Sequence, residues 1–396
     1  MTRRRVLVLL LTVLCACTYK ENTLASLPDM SAVRANLAFT CVHEVNHLPP
    51  LDQQADALFS YGRYLQKQDG PKDFNAVARY YRIAAAYGHY KANHNLQLLV
   101  SQGLADSPDA PKETVDLAAR LVQKGVPGGY FDIGHYLEIG YGLKLDSEMA
   151  LRYFRKAADL GSPEAQSYVG DLLAPLDKAP AIAKQMRECA TDQGFSDAAT
   201  TLGADSISKR LYPEAVKAFQ AGIAAGNTQS ASFLKNAFDT EPSDALYYVG
   251  LQKDSERSSR YELIWEFLNN NDGRNPKVPD IDQIVPLPPA KLPPWDGTFQ
   301  WQKEQDAAQP PQKPAEKLVT KLAREKNLDP ATGLPLAPAK SAKDERVPLG
   351  TVARTGQVCP QDGLWTVQRF ADVSCDAPRR FAVSACCSQI RRNTSA

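Results

Sequence analysis

Apolar and small residues recur at helical spacing from Tyr130 to Leu173, and glycines punctuate them. Tyr130 to Ile139 predicts one helix, which Gly140-Tyr141-Gly142 breaks. Asp146-Ser147 offers a cap for a second helix, Glu148 to Leu160, and Gly161 ends it because glycine tolerates the left-handed conformation that closes a helix. Ser162-Pro163-Glu164 starts a third, with serine satisfying free amides and proline fitting the first turn. Ala150, Phe154, Ala157 and Gly161 share one face of the second helix, so a neighbour can approach closely there.

The unit repeats. Arg79-Tyr80-Tyr81-Arg82-Ile83-Ala84-Ala85-Ala86-Tyr87-Gly88 parallels Arg152-Tyr153-Phe154-Arg155-Lys156-Ala157-Ala158-Asp159-Leu160-Gly161, and Val216 to Gly226 is a weaker copy. Degenerate copies end at Gly125 and Gly194. The closing glycines Gly88, Gly125, Gly161, Gly194 and Gly226 are separated by 37, 36, 33 and 32 positions. Two helices per period of that length predict an all-α protein, an α/α solenoid. The aromatic pair, two alanines and closing glycine resemble the Sel-one-like repeat, a relative of the tetratricopeptide repeat. The resemblance covers Asp56 to Phe238.

The remaining pattern divides the chain. Residues 52–272 hold the repeats and an amphipathic capping helix, Asp254 to Asn269. Residues 273–301 are proline-rich and cannot be helical, since proline fixes an extended backbone. Ile, Val, Leu and Trp between those prolines predict packing against the solenoid. Residues 302–349, rich in Lys, Glu, Gln, Ala and Pro, predict a mobile low-complexity linker, with room for a short helix at Glu316 to Lys326. Residues 350–396 read as a small cysteine-rich module with some β structure: Gly356 to Val367 looks like turn then strand, and Arg380 to Ala385 alternates. A module that small holds little core, so cysteines would staple it.

The start of the chain addresses its compartment. Arg3-Arg4-Arg5 precedes a short apolar run, Val6 to Leu14, and then Leu14-Cys15-Ala16-Cys17. The run is too short to span a membrane as a mature helix. The tetrapeptide resembles a bacterial lipobox, which implies a signal peptide over residues 1–17 and lipidation at Cys17, followed by a tether and N-terminal loop over residues 18–51. Thr18 after that cysteine implies anchoring at the outer membrane, facing the periplasm. Export makes Cys41, Cys189, Cys359, Cys375, Cys386 and Cys387 disulfide candidates. Six cysteines allow 15 pairings, and the sequence does not choose among them. Adjacent Cys386 and Cys387 are poorly suited to bond to each other.

Candidate chemistry is sparse. With 46 basic and 45 acidic residues the formal charge is +1, and no concentrated basic field points to nucleic acid. His43-Glu44 with His47 matches the zincin motif, in which both histidines lie on one helical turn and ligate zinc while the glutamate acts as base. Pro49 and Pro50 would end such a helix at once, so a metal site and hydrolase on His43, Glu44 and His47 are disfavoured. His89, His94 and His135 read as helix residues rather than ligands. Cys359, Cys375, Cys386 and Cys387 lack paired C-x-x-C spacing, which favours disulfides over zinc. There is no phosphate-cradling glycine loop and no nucleophile elbow. The expectation is a binding scaffold without cofactor or catalytic residues.

A second resemblance rests on the later segments. Arg260-Tyr261, Val278-Pro279-Asp280-Ile281-Asp282, Val285-Pro286-Leu287-Pro288-Pro289-Ala290 and Leu292-Pro293-Pro294-Trp295-Asp296-Gly297, with Thr355-Gly356-Gln357, Cys359-Pro360, Gly363 and Trp365, resemble a family of proteobacterial Sel-one-like-repeat lipoproteins. Genes of that family lie beside type VI secretion toxins, and several members are immunity proteins against phospholipase effectors, notably of the phospholipase D class. The resemblance implies a protein partner, a secreted phospholipase, occluded at its active site, with membrane contact through the lipid anchor alone. Trp295 and Trp365 are the candidate partner-binding residues. The rival expectation is a non-enzymatic envelope scaffold.

Overall fold

The computed structural model describes residues 37–241 and 246–336, and the backbone of six short strands between residues 352 and 392. The helices belong to one compact unit, Leu24–Pro335, and the strands to another.

Twelve helices of the first unit form six antiparallel pairs. They are α1 (Gln53–Lys67) with α2 (Phe74–Ala86), α3 (Tyr90–Ser101) with α4 (Ala110–Gln123), and α5 (Pro127–Ile139) with α6 (Ser147–Asp159). Then follow α7 (Pro163–Leu173) with α8 (Pro180–Asp192), α9 (Ser196–Ser208) with α10 (Tyr212–Ala224), and α11 (Thr228–Asp239) with α12 (Ser255–Asn270). Each second helix also packs on the next first helix, and buried apolar side chains form three clusters along the stack. This is an α-solenoid of Sel-one-like repeats.

Local chemistry sets the boundaries. Asp52, Asp73, Asp109, Asp146, Ser162, Asn227 and Asp254 each accept, through the side chain, the backbone N–H three residues on, satisfying a donor that the helix start leaves unpaired. Gly88, Gly125, Gly161, Gly194 and Gly226 all have positive φ, between 71° and 101°. The sharp turn from each second helix to the next first helix requires that conformation, which a Cβ disfavours.

Two extended segments lie on the stack. The N-terminal strap, ending in a 3₁₀ turn at Glu44–His47, crosses the turns at Gly161 and Gly194. Cys41 is disulfide-bonded to Cys189 of α8. Gln166 Nε2 donates to Val42 O at 2.9 Å, and the Glu44 amide donates to Gln193 Oε1 at 2.7 Å. A Cβ on Gly161 would sit 2.6 Å from the His43 carbonyl carbon, so only glycine admits the strap there.

The second segment is a belt following α12. Val278, Ile281, Ile284, Val285 and Phe299 enter the core of the last two pairs. The Arg260 guanidinium donates to Ile284 O at 2.8 Å, and Gln220 Nε2 donates to Val285 O at 2.7 Å. The belt includes α13 (Ile281–Ile284), α14 (Gln300–Ala307) and α15 (Glu316–Glu325).

The reading of residues 302–349 as mobile linker is corrected for its first part. Val319, Leu322, Ala323 and Leu328 are buried in the core of the first two pairs, and α15 packs on α2. Leu318, Val319 and Leu322 form an apolar stripe on a short helix, and burial against α2 outweighs the polar composition around it. Residues 337–349 lie outside the described residues.

In the second unit, β1 (Val352–Ala353), β3 (Gly363–Val367), β4 (Arg379–Phe381) and β6 (Ile390–Arg392) form an antiparallel sheet in the order β1-β6-β3-β4. The pair β2 (Gln357–Val358) and β5 (Cys386–Cys387) is separate.

Candidate partner-binding face

The first helices α3, α5 and α7 lie side by side, and residues one repeat apart meet across them. His94 Nδ1 lies 3.3 Å from Asp132 Oδ2, Tyr136 donates its hydroxyl to Gln97 Oε1 at 2.8 Å, and Tyr168 donates to Glu138 Oε1 at 2.7 Å. Phe131, His135 and Tyr168 are half-buried and close around the buried Phe154, with ring centroids 4.5–6.2 Å apart.

The strap completes this face with Glu44. Its carboxylate accepts a hydrogen bond from the Gly128 amide at the start of α5 and lies within electrostatic reach of Glu164, His94 and Asp132. Burial, followed by repulsion from Glu164, pushes Glu44 up to about 7. The Asp132 carboxylate, only 9 % exposed, is the largest influence on His94 and pushes it up to about 9. His94 is therefore cationic at neutral pH, although its side chain is 49 % exposed. Asp132, Glu164 and part of Glu44 balance that charge, so the patch is acidic on balance. Acidic groups flanked by half-buried aromatics suit a protein partner offering basic and apolar side chains.

The zincin reading fails geometrically. Glu44–His47 is a single 3₁₀ turn, and His43 precedes it in extended conformation, with φ −97° and ψ 140°. His43 and His47 thus do not share an α-helical turn. Glu44 instead joins residues of α5 and α7 that sequence proximity cannot reveal. The repeat register carries that signal: His94 and Asp132 are 38 positions apart, and Gln97 and Tyr136 are 39 apart.

Trp295 lies elsewhere, at the belt. Its indole N–H donates to Thr298 O at 2.9 Å, its ring meets Phe299 edge-on at 5.5 Å, and the Arg260 guanidinium sits 5.8 Å from its centroid. Trp365 falls on β3, where its backbone pairs with Arg379 and Arg392. Cys17, Cys359 and Cys375 lie outside the described residues, as do the side chains of Trp365, Cys386 and Cys387. Among the described residues, no helix is long and apolar enough to cross a membrane.

Residues 230–336 match the family model of a domain of unknown function, DUF6396. In the structure that span covers the last helix pair and the belt as far as the Leu328–Pro335 bridge. No curated protein matches the chain. Among solved structures, immunity protein Pa5087 from Pseudomonas aeruginosa is 30% identical, with a TM-score of 0.53 over 64% of this chain and 95% of that one. Immunity protein PA5088 from the same organism is 27% identical, with a TM-score of 0.53 over 63% and 94%. P. aeruginosa protein 5086 is 29% identical, with a TM-score of 0.52 over 63% and 95%. These relatives point to a non-catalytic protein whose partner is another protein. The chain belongs to the family of immunity proteins that includes Pa5087.

Proposed function

We propose that this protein neutralises a secreted phospholipase toxin of the phospholipase D class, delivered by type VI secretion, by binding it and occluding its active site. The single observation that carries this reading is the 30% identity to an immunity protein over 95% of that protein's length. In this reading Cys17 carries the lipid anchor, and the protein faces the periplasm from the outer membrane. A toxin attacking phospholipid would meet it beside its own substrate. No cofactor enters, because a rigid surface that fills the active-site mouth suffices. The face formed by His94, Asp132, Tyr136, Glu164 and Tyr168 with Glu44 is the proposed contact surface. Trp295 and Trp365 are second candidates.

The test is co-purification with a candidate phospholipase toxin of the type VI secretion system. Glu164→Lys reverses an exposed charge on the contact surface and should weaken binding at least tenfold, with unchanged helicity. Removal of residues 337–396 should leave binding intact. If instead the truncation abolishes binding and Glu164→Lys does not, the contact lies in the Trp365 module.

A further inference from the structure

Cys41, His43 and Cys189 place two sulfurs and an imidazole nitrogen within 4.8 Å of one another. We propose that, when the Cys41–Cys189 disulfide is reduced, these three side chains form a binding site for a thiophilic divalent cation, foremost zinc. The inference is independent of the toxin reading.

The ligand set matches zinc chemistry. Two thiolates and one neutral imidazole are a known three-ligand combination for tetrahedral zinc, leaving the fourth position to water. With Zn–S of about 2.3 Å and Zn–N of about 2.0 Å, tetrahedral ligands lie about 3.5–3.8 Å apart. The bonded sulfurs must therefore move apart on reduction, and the imidazole nitrogen, within 4.8 Å of them, must close in. The two cysteine Cα atoms, 5.6 Å apart, allow the sulfurs to separate by side-chain rotation.

Contacts other than the disulfide also hold the strap. Val42, between the two strap ligands, is held through its carbonyl by Gln166, and the next amide after His43 is held by Gln193. Gln193 Nε2 in turn donates to Gly161 O at 3.0 Å and Gln166 Oε1 at 2.9 Å, which fixes both amides. Cys189 is buried on α8. Reduction thus frees two thiols without freeing the strap.

The chemistry balances. A dithiol reductant gives two electrons and two protons to the disulfide and is itself oxidised to a disulfide. Cys41 and Cys189 emerge as thiols. Metal binding then releases both thiol protons, while His43 coordinates as the neutral ring, so affinity falls in acid. The strap would be pinned covalently when oxidised and by metal when reduced. The site uses His43 of the zincin-like motif but neither Glu44 nor His47.

The test uses a chain in which Cys15, Cys17, Cys359, Cys375, Cys386 and Cys387 are serine, so that Cys41 and Cys189 are its only thiols. It is reduced, freed of reductant and titrated with Co²⁺ and then Zn²⁺. The expected result is one Co²⁺ per chain with a thiolate charge-transfer band, displaced by Zn²⁺ and absent from the oxidised chain. His43→Ala should weaken zinc binding by more than the ~10–100-fold typical of losing an outer-shell partner. A folded, reduced chain without the band overturns the proposal, as does a band that His43→Ala leaves unchanged. Should the six-serine chain fail to fold by circular dichroism, wild type is compared with Cys41→Ser/Cys189→Ser. A difference of one zinc equivalent supports the site, and equal uptake overturns it.

Discussion

A Cβ built on Gly134 of α5 would lie 2.5 Å from the ring of Phe154 on α6. The same relationship recurs two pairs away on either side, at Gly62 with Tyr81 (2.9 Å) and Gly203 with Phe219 (2.8 Å). In each of these pairs the first helix offers a bare backbone and the second seats an aromatic ring against it. Phe154 is fully buried among Phe131, His135 and Tyr168, so its ring has nowhere to move. For Gly134→Ala, overpacking of up to ~3 kcal/mol exceeds the ~1 kcal/mol gain in helix propensity. Denaturant unfolding should show a net loss of up to about 2 kcal/mol.

The acidic patch predicts a pH dependence of stability. His94 rises from 6.5 to about 9, so its stabilising contribution is complete below 6.5 and lost as pH rises through 9. Glu44 rises from 4.5 to about 7, so folding favours its neutral form, and that contribution is complete below 4.5 and lost as pH rises through 7. Both groups therefore make the protein less stable as pH rises across these windows. In thermal unfolding, Glu44→Gln should flatten the 4.5–7 window and raise the midpoint above it. His94→Gln should flatten the 6.5–9 window and lower the midpoint below it.

The Cys41–Cys189 bond closes a loop of 148 positions. Loop closure over that length constrains the unfolded chain, and removing the bond should cost about 2–5 kcal/mol. Cys41→Ser, measured with a chelator present to exclude metal, should lower the unfolding midpoint without changing helicity. An unchanged midpoint would mean that the bond adds no stability beyond that of the Gln166 and Gln193 contacts.

Arg79 Nη2 of α2 lies 2.6 Å from Glu316 Oε2 of α15, across 237 positions of chain. The belt therefore returns from the last helix pair to the first. Because Glu316 is exposed, this ion pair adds little. The docking rests on Val319 and Leu322, both buried. Leu322→Ala should cost about 2–5 kcal/mol. Val319→Asp should release α15, read as new protease cleavage between residues 308 and 335 while the repeats stay intact.

Much of the solenoid was legible because its signals are local. The closing glycines and the Asp146 and Ser162 caps announce helix ends within four residues, and the aromatic–alanine pattern sets the period. The belt was less legible because the partner of its short apolar stripe is distant. Leu318, Val319 and Leu322 stand in a polar, proline-rich stretch, and only α2, more than 200 positions earlier, explains them. The patch failed to show for a similar reason. Glu44 reads as part of a loop motif until the strap is laid across α5 and α7. His94 reads as a solvated helix residue until Asp132 stands one repeat away. The choice of Cys189 for Cys41 depends on the same path of the strap.

The most direct test of the central claim is survival of cells in which a candidate type VI secretion phospholipase toxin is directed to the periplasm, with and without co-expression of this protein. The account predicts rescue, together with a stable complex of the two proteins on purification. No rescue and no complex would contradict it, and would favour the rival reading of the repeats as a non-enzymatic scaffold.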